Sequence, residues 1–266
     1  MKSHRVIMVS SCKGGVGKST IAANLGIQLA YNGYKTLIID CDFGVRSLDL
    51  IMGLENFVIY DIVDVITKDI SPDKAIVQDK RSVNLYFCSA PYEYRDNVEP
   101  DKFSEVIDKI GEEMEFDYII IDTPGDLGAP VRLAAAASDM ALIVSSYQPS
   151  SIRAAERTSM LLDELGVEDR RLIINFFDTK KTKDTDIPNI IDIIDKTCVR
   201  LIGVVPNESL VARLQSQGED IVNYRGSNAA IAIKNIADRI EGHNVPLFTD
   251  FKKVKRTSLL KKSQTN

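Results

Sequence analysis

Apolar residues along this chain fall into short unbroken runs separated by polar stretches of helical period. The runs lie at Val6–Val9, Thr36–Asp40, Val83–Cys88, Tyr118–Asp122, Met140–Ser145, Leu172–Asn175 and Leu201–Val205. A strand buried on both faces loses the alternation of a half-exposed one, so these runs predict strands of a mostly parallel sheet. Several end in a polar residue, Asp40, Asp122 and Asn175 among them, at the carboxyl edge where open α/β sheets bind ligands. Between the runs, apolar positions recur at helical spacing. Helices are predicted from Ser19 through Leu25 and Leu29, from Pro100 with Phe103, Val106, Ile107 and Ile110, and from Ser150 with Ile152, Ala155, Ser159 and Leu162. Ser150 or Ser151 is the expected cap of the last of these. Ile187–Asp195 and Ser227–Ile240 read as further helices, and Ser71–Asp79 as a polar helical excursion. The alternation predicts one doubly wound, three-layer α/β/α domain over residues 1–242, with 243–266 as a separate tail.

The first strand leads directly into Cys12–Thr20, C-K-G-G-V-G-K-S-T, and then into a helix. That order is the setting in which a P-loop binds phosphate. Gly17, Lys18 and Ser19 fit the end of G-x-x-x-x-G-K-[ST], while Cys12 stands where the first glycine is expected. Gly14, Gly15 and Gly17, with Val16 and Thr20 between and after them, let consecutive N–H groups converge on phosphate oxygens. The helix end adds partial positive charge, Lys18 suits the β- and γ-phosphates, and Ser19 can hold Mg2+. Lys13 is then a surplus cation, able to reach a phosphate in its own site or in that of a facing subunit.

K-G-G-V-G-K-S-T resembles the P-loop of the ParA/MinD group of ATPases, in which the early lysine acts across a dimer that sandwiches ATP. Gly44–Ile66, GVRSLDLIMGLENFVIYDIVDVI, is similar to the MinD branch, with Ser47 where asparagine is usual. The resemblance implies a P-loop NTPase fold and a slow, partner-stimulated, Mg2+-dependent ATPase. It implies catalytic roles for Lys13, Lys18, Asp42 and Asp122, with Ser19, Asp42 and Asp122 around the metal. Asp122–Gly125 corresponds to the Walker B strand end and switch II, with Gly125 favoured over Gly128 for the γ-phosphate. Asn175 is implied to read adenine, beside the turn Pro206–Asn207–Glu208, and Phe176 stands where the family has arginine. Ser150–Arg157 resembles the segment near the dimer interface and partner surface, with Ala154 and Glu156 replacing aspartates. The implied role is division-septum placement by an ATP-driven homodimer with MinC- and MinE-like regulators. ParA-type DNA segregation and FlhG-type flagellar-number control are the alternatives.

A chain of 266 residues that is 44% hydrophobic and 27% charged suits a globular domain, and a net charge of −5 argues against a surface basic all over that would bind nucleic acid. Cys12, Cys41, Cys88 and Cys198 show no C-x-x-C spacing, which predicts reduced, mostly buried thiols and argues against a metal-cluster carrier. His4 and His243 read as surface residues. The N-terminus runs straight into the first strand and no apolar run approaches about 18 residues, so a cytoplasmic protein is expected. In the tail, Leu247, Phe248, Phe251, Val254, Leu259 and Leu260 are interleaved with Lys252, Lys253, Lys255, Arg256, Lys261 and Lys262. As a helix it would suit the headgroup region of an anionic membrane, at the inner face of which the protein would sit peripherally. Thr179–Asp186 reads as a charged loop, and Tyr92, Tyr94 and Arg95 as aromatic loop packing.

Overall fold

The computed structural model of the chain describes residues 3–68, 70–93, 98–178 and 188–247. In chain order its elements begin with β1 (Arg5–Ser10), α1 (Lys18–Tyr31), β2 (Thr36–Asp40), α2 (Leu48–Met52), α3 (Ile62–Thr67) and α4 (Pro72–Ala75). They continue with β3 (Ile76–Gln78), β4 (Leu85–Cys88), α5 (Pro100–Glu113), β5 (Tyr118–Asp122), α6 (Ala129–Ala137) and β6 (Met140–Ser145). The last are α7 (Pro149–Glu164), β7 (Asp169–Phe177), α8 (Ile190–Thr197), β8 (Arg200–Pro206), α9 (Ser209–Gln215) and α10 (Asn228–Ile240). The strands form one sheet in the order β3-β4-β2-β5-β1-β6-β7-β8, parallel throughout except for β3 against β4. The expected doubly wound α/β fold is the one observed.

Helices on both faces explain the unbroken apolar runs. In β1, Val6 and Met8 pack into one core layer with Phe103, Val131 and Ile152. Ile7 and Val9 pack into the other with Ile21, Leu25 and Ile233. Successive side chains of a strand point to opposite faces, so both sets must be apolar. β1 lies between β5 and β6, and the chain winds outward in opposite directions from it. The crevice at that reversal opens above the carboxyl end of β1, where the glycine loop starts.

The structure departs from the sequence reading at several points. Ser71–Asp79 is one turn of helix followed by the antiparallel edge strand β3, which pairs Ile76 with Cys88. α7 is capped by Gln148 and begins at Pro149; Ser151 lies inside its first turn, where its hydroxyl accepts the Ser146 N–H at 2.9 Å. Proline needs no partner for its missing N–H and sets the helical φ, so it takes the first position. α8 begins at Ile190 because Asn189 and Asp192 form a capping box there. His4 is buried rather than on the surface: Gly111 on α5 leaves the slot its ring fills, 3.4 Å from Asp108 Oδ1. Cys41 and Cys88 are buried, but Cys12 is half-buried and Cys198 exposed; all four are free thiols. Thr179–Asp186, Tyr94, Arg95 and the tail from Phe248 onward lie outside the described residues. No helix among those described is long and apolar enough to cross a membrane.

Gly26 of α1 lets the helix lie close on β2: a Cβ there would fall 2.5 Å from Ile38 Cγ1. Gly26→Val is expected to cost about 1–3 kcal/mol through overpacking, seen as a lower urea midpoint. An unchanged midpoint would mean that α1 and β2 do not meet at this residue.

Candidate functional site

Above the carboxyl ends of β1, β2 and β5 the chain forms a cleft of about 920 Å3, lined by Gly15, Lys18, Ser19, Asp42, Gly125 and, opposite them, Gln215. Its floor is the glycine loop. Gly15 and Gly17 have φ of 74° and 90°, in the left-handed region that glycine enters without strain. Gly17 is required twice over, because a Cβ would lie 2.3 Å from Asn175 Nδ2. Gly17 also caps α1, and no side chain caps that helix, so its first N–H groups and positive end are available to an anion.

Lys18 is buried, with Nζ donating to the Lys13 carbonyl at 3.4 Å. Burial pulls its pKa below the usual lysine value, and Asp122, Asp42 and Asp126 oppose that shift. Thr20 Oγ1 donates to Gln215 Oε1 at 2.9 Å, tying α1 to α9. Lys13 points out of its own loop: Nζ donates to Gln148 Oε1 and Ser150 Oγ, both at 2.8 Å, at the start of α7.

Asp40 and Asp122 are register partners on β2 and β5, and both are fully buried. Asp40 accepts the N–H of Asp42 at 2.8 Å and of Leu48 at 3.1 Å, fastening the intervening loop at both ends. Burial raises its pKa from an ordinary 3.8 to about 7, and Asp42 and Asp49 add to the rise. Among the described residues, neither Asp122 oxygen completes a well-aligned hydrogen bond. Burial, then the neighbouring Asp40, push its pKa well up, while Ser19 and Lys18 pull it back. Asp42 is half-buried; burial raises its pKa and Lys18 opposes. An orphaned carboxylate beside Ser19 and Asp42 is the all-oxygen donor set that a hard divalent cation takes, so these residues fit Mg2+.

Of the two candidate glycines, Gly125 lies on the P-loop, where a Cβ would be 3.0 Å from Gly14 N and Cα. Gly128 instead caps α6 and donates its N–H to Asp126 Oδ1 at 2.8 Å. Asn175 Nδ2 donates to the Val16 carbonyl at 2.8 Å, so its amide braces the loop. Glu208 is engaged as well: its carboxylate accepts from Ser227 Oγ at 2.6 Å and Asn228 N at 2.9 Å. Pro206, Asn207 and Glu208 nevertheless line a side cavity of about 180 Å3 together with Thr20, Asn175 and Phe176. Asp40 is the site residue that the motif reading passed over. The D-x-D at the end of β2 was its signal, but its place beside Asp122 depends on strand register. Arg46 Nε donates to Asp49 Oδ2 at 2.6 Å, with Tyr92 over the guanidinium at 4.1 Å, and this buried pair steadies the loop carrying Asp42.

What this geometry can hold is a nucleoside polyphosphate with a divalent cation, and the proteins built this way are the P-loop NTPases. The ParA family model, described as NUBPL iron-transfer P-loop NTPase, matches residues 2–241. The septum site-determining protein MinD of Synechocystis sp. is 36% identical over 258 residues, covering 96% of this chain and 96% of that protein. MinD of Bacillus subtilis is 36% identical over 244 residues, covering 91% and 90%. Among solved structures, the MinD cell division protein of Aquifex aeolicus superposes with a TM-score of 0.84 at 35% identity, covering 92% of this chain and 100% of that one. MinD of Pyrococcus horikoshii complexed with Mg-ADP gives 0.77 at 25% identity, covering 90% and 96%. The chain belongs to the ParA/MinD family of P-loop NTPases, and its relatives here are the septum site-determining MinD proteins.

The buried carboxylates predict a pH dependence. The folded pKa of Asp40 lies near 7, above its unfolded value, so between about pH 4 and about pH 7 the folded chain keeps a proton that the unfolded chain has lost, and Asp122 is shifted in the same direction. Their contribution to stability therefore falls as pH rises through that window. Asp122→Asn removes one of the charges and is expected to gain stability relative to wild type across it, in urea melts without nucleotide. A variant that instead loses ground as pH rises would contradict the buried pair.

Proposed function

We propose that this chain is a slow Mg2+-dependent ATPase that acts as a dimerisation switch in placing the division septum. The observation that carries the reading is the separation of the two lysines. Lys18 is buried in the loop, whereas Lys13 leaves it and rests on α7, where a second copy could engage it.

Lys18 and the N-terminus of α1 hold the β- and γ-phosphates, and Gly125 offers its N–H to the γ-phosphate. Ser19, Asp42 and Asp122 would hold Mg2+, and the bound ion would neutralise charge on the phosphate oxygens. Asp42 orients the attacking water, and Asp40 fixes the loop from which Asp42 reaches the cleft. Such a division suits phosphoryl transfer, which demands positioning and charge neutralisation rather than covalent chemistry by the protein. Asn175 and the Pro206–Glu208 turn take adenine, and Lys13 stabilises the phosphate of the facing subunit.

Residues 1–242 form the ATPase unit, and residues 243–266 the segment that meets an anionic membrane; two tails in one dimer hold where one does not. A solved complex of MinC with MinD from Aquifex aeolicus, at TM-score 0.85 and 35% identity, supports a MinC-like partner. A MinE-like activator and a peripheral location at the inner membrane face complete the reading.

Co-sedimentation of the full chain with anionic vesicles tests it. Binding is expected to be severalfold greater with Mg-ATP than with Mg-ADP, and to be lost on truncation after Gly242. Equal binding with both nucleotides, or undiminished binding without the tail, would defeat the membrane switch. Separately, Lys18→Ala is expected to lower ATP hydrolysis by about a hundredfold or more, read as phosphate release; a variant that hydrolyses ATP normally would remove Lys18 from the chemistry.

A further inference from the structure

We propose that Phe176 is the surface on which the nucleobase stacks, so that an aromatic ring next to Asn175 sets the site's hold on a flat purine. The proposal rests on the adenine-nucleotide reading of the cleft above.

Phe176 lies near the end of β7, where the pairing with β8 is irregular between Ile174 and Phe177. Its φ of 56° is in the left-handed region, an unfavourable place for a bulky aromatic residue. Irregular pairing of this kind re-aims a side chain that a regular strand would send elsewhere. The ring is not withdrawn into the core: Phe176 is 38% exposed, whereas Asn175 beside it is 4% exposed. Its Cζ lies 3.4 Å from where a Cβ on Gly17 would be, so the ring stands against the phosphate loop.

Phe176 is also shared by two hollows. One is the side cavity of about 180 Å3 that it lines with Asn175 and Pro206. The other, of about 290 Å3, lies against Lys13, Gly14 and Tyr147. The side cavity and the phosphate cleft have Thr20 and Gln215 in common, so a ligand with its phosphates on Gly15–Ser19 can extend its base into the side cavity. There the base meets the amide of Asn175, the Pro206–Asn207 turn and the ring of Phe176. An exposed, strained aromatic residue in a cavity wall contributes little to the core. What it offers a heterocycle is its π-face, which any base can use.

Calorimetric titration of the full chain with ATP and with inorganic tripolyphosphate, both with Mg2+, separates base contact from loop support. Phe176→Ala is expected to weaken ATP binding by about tenfold and to leave tripolyphosphate binding unchanged. Phe176→Leu, which keeps an apolar side chain without the π-face, is expected to lose ATP affinity in the same selective way, and Phe176→Tyr to retain it. Wild-type ATP affinity in both Phe176→Ala and Phe176→Leu would overturn the proposal, as would equal losses for ATP and tripolyphosphate, which would mark the ring as a prop for the loop. A wild-type chain that binds tripolyphosphate as tightly as ATP would overturn the adenine reading itself, a distinct result.

Discussion

Two carboxylates held side by side without a matching positive charge are the constraint around which this molecule is arranged. Asp40 and Asp122 are brought together by the register of β2 and β5 and closed off from solvent by helices on both faces. Neither is comfortable as an anion there, and among the described residues neither Asp122 oxygen completes a well-aligned hydrogen bond. Lys18 offers partial relief at a cost, because its own burial pulls its pKa down. A buried charge without full compensation destabilises the fold that contains it. The same carboxylates are oxygen donors of the kind a hard divalent cation takes, and a cation's charge is what would offset theirs.

The walls of the cleft are joined to one another rather than to the core alone. Asp40 fastens the loop bearing Asp42, and the Arg46–Asp49 pair under Tyr92 steadies the same loop from its far side. Gly53, which ends α2, meets Gly218 beyond α9 so closely that a Cβ on Gly218 would lie 2.9 Å from Gly53 Cα. Thr20 and Gln215 link α1 to α9 by hydrogen bond. Lys13, resting on Gln148 and Ser150, joins the glycine loop to the start of α7 as well.

Much of this was legible in the sequence, for local reasons. The unbroken apolar runs mark strands covered on both faces, and the loop Lys13–Thr20 carries its chemistry in consecutive residues. What was not legible depends on partners far apart in the chain. The contact of Lys13 with Gln148 spans 135 residues and that of Asn175 with Val16 spans 159, so no local pattern announces either. His4 looked like a surface residue because the slot that receives it is made by Gly111 on another element. Asp40 looked like an ordinary strand end because only strand register sets it against Asp122. At α7 two local signals competed, and Pro149 prevailed over the serines as the start of the helix.

We propose that ATP joins two copies of this chain through Lys13. The most direct test is the solution mass of the full chain by light scattering, with Mg-ATP and with Mg-ADP, for wild type and for Lys13→Ala. Mass is expected to double only for wild type with Mg-ATP, while Lys13→Ala still binds nucleotide but stays a monomer. A wild-type chain that remains monomeric with Mg-ATP, or a Lys13→Ala chain that doubles as wild type does, would contradict it.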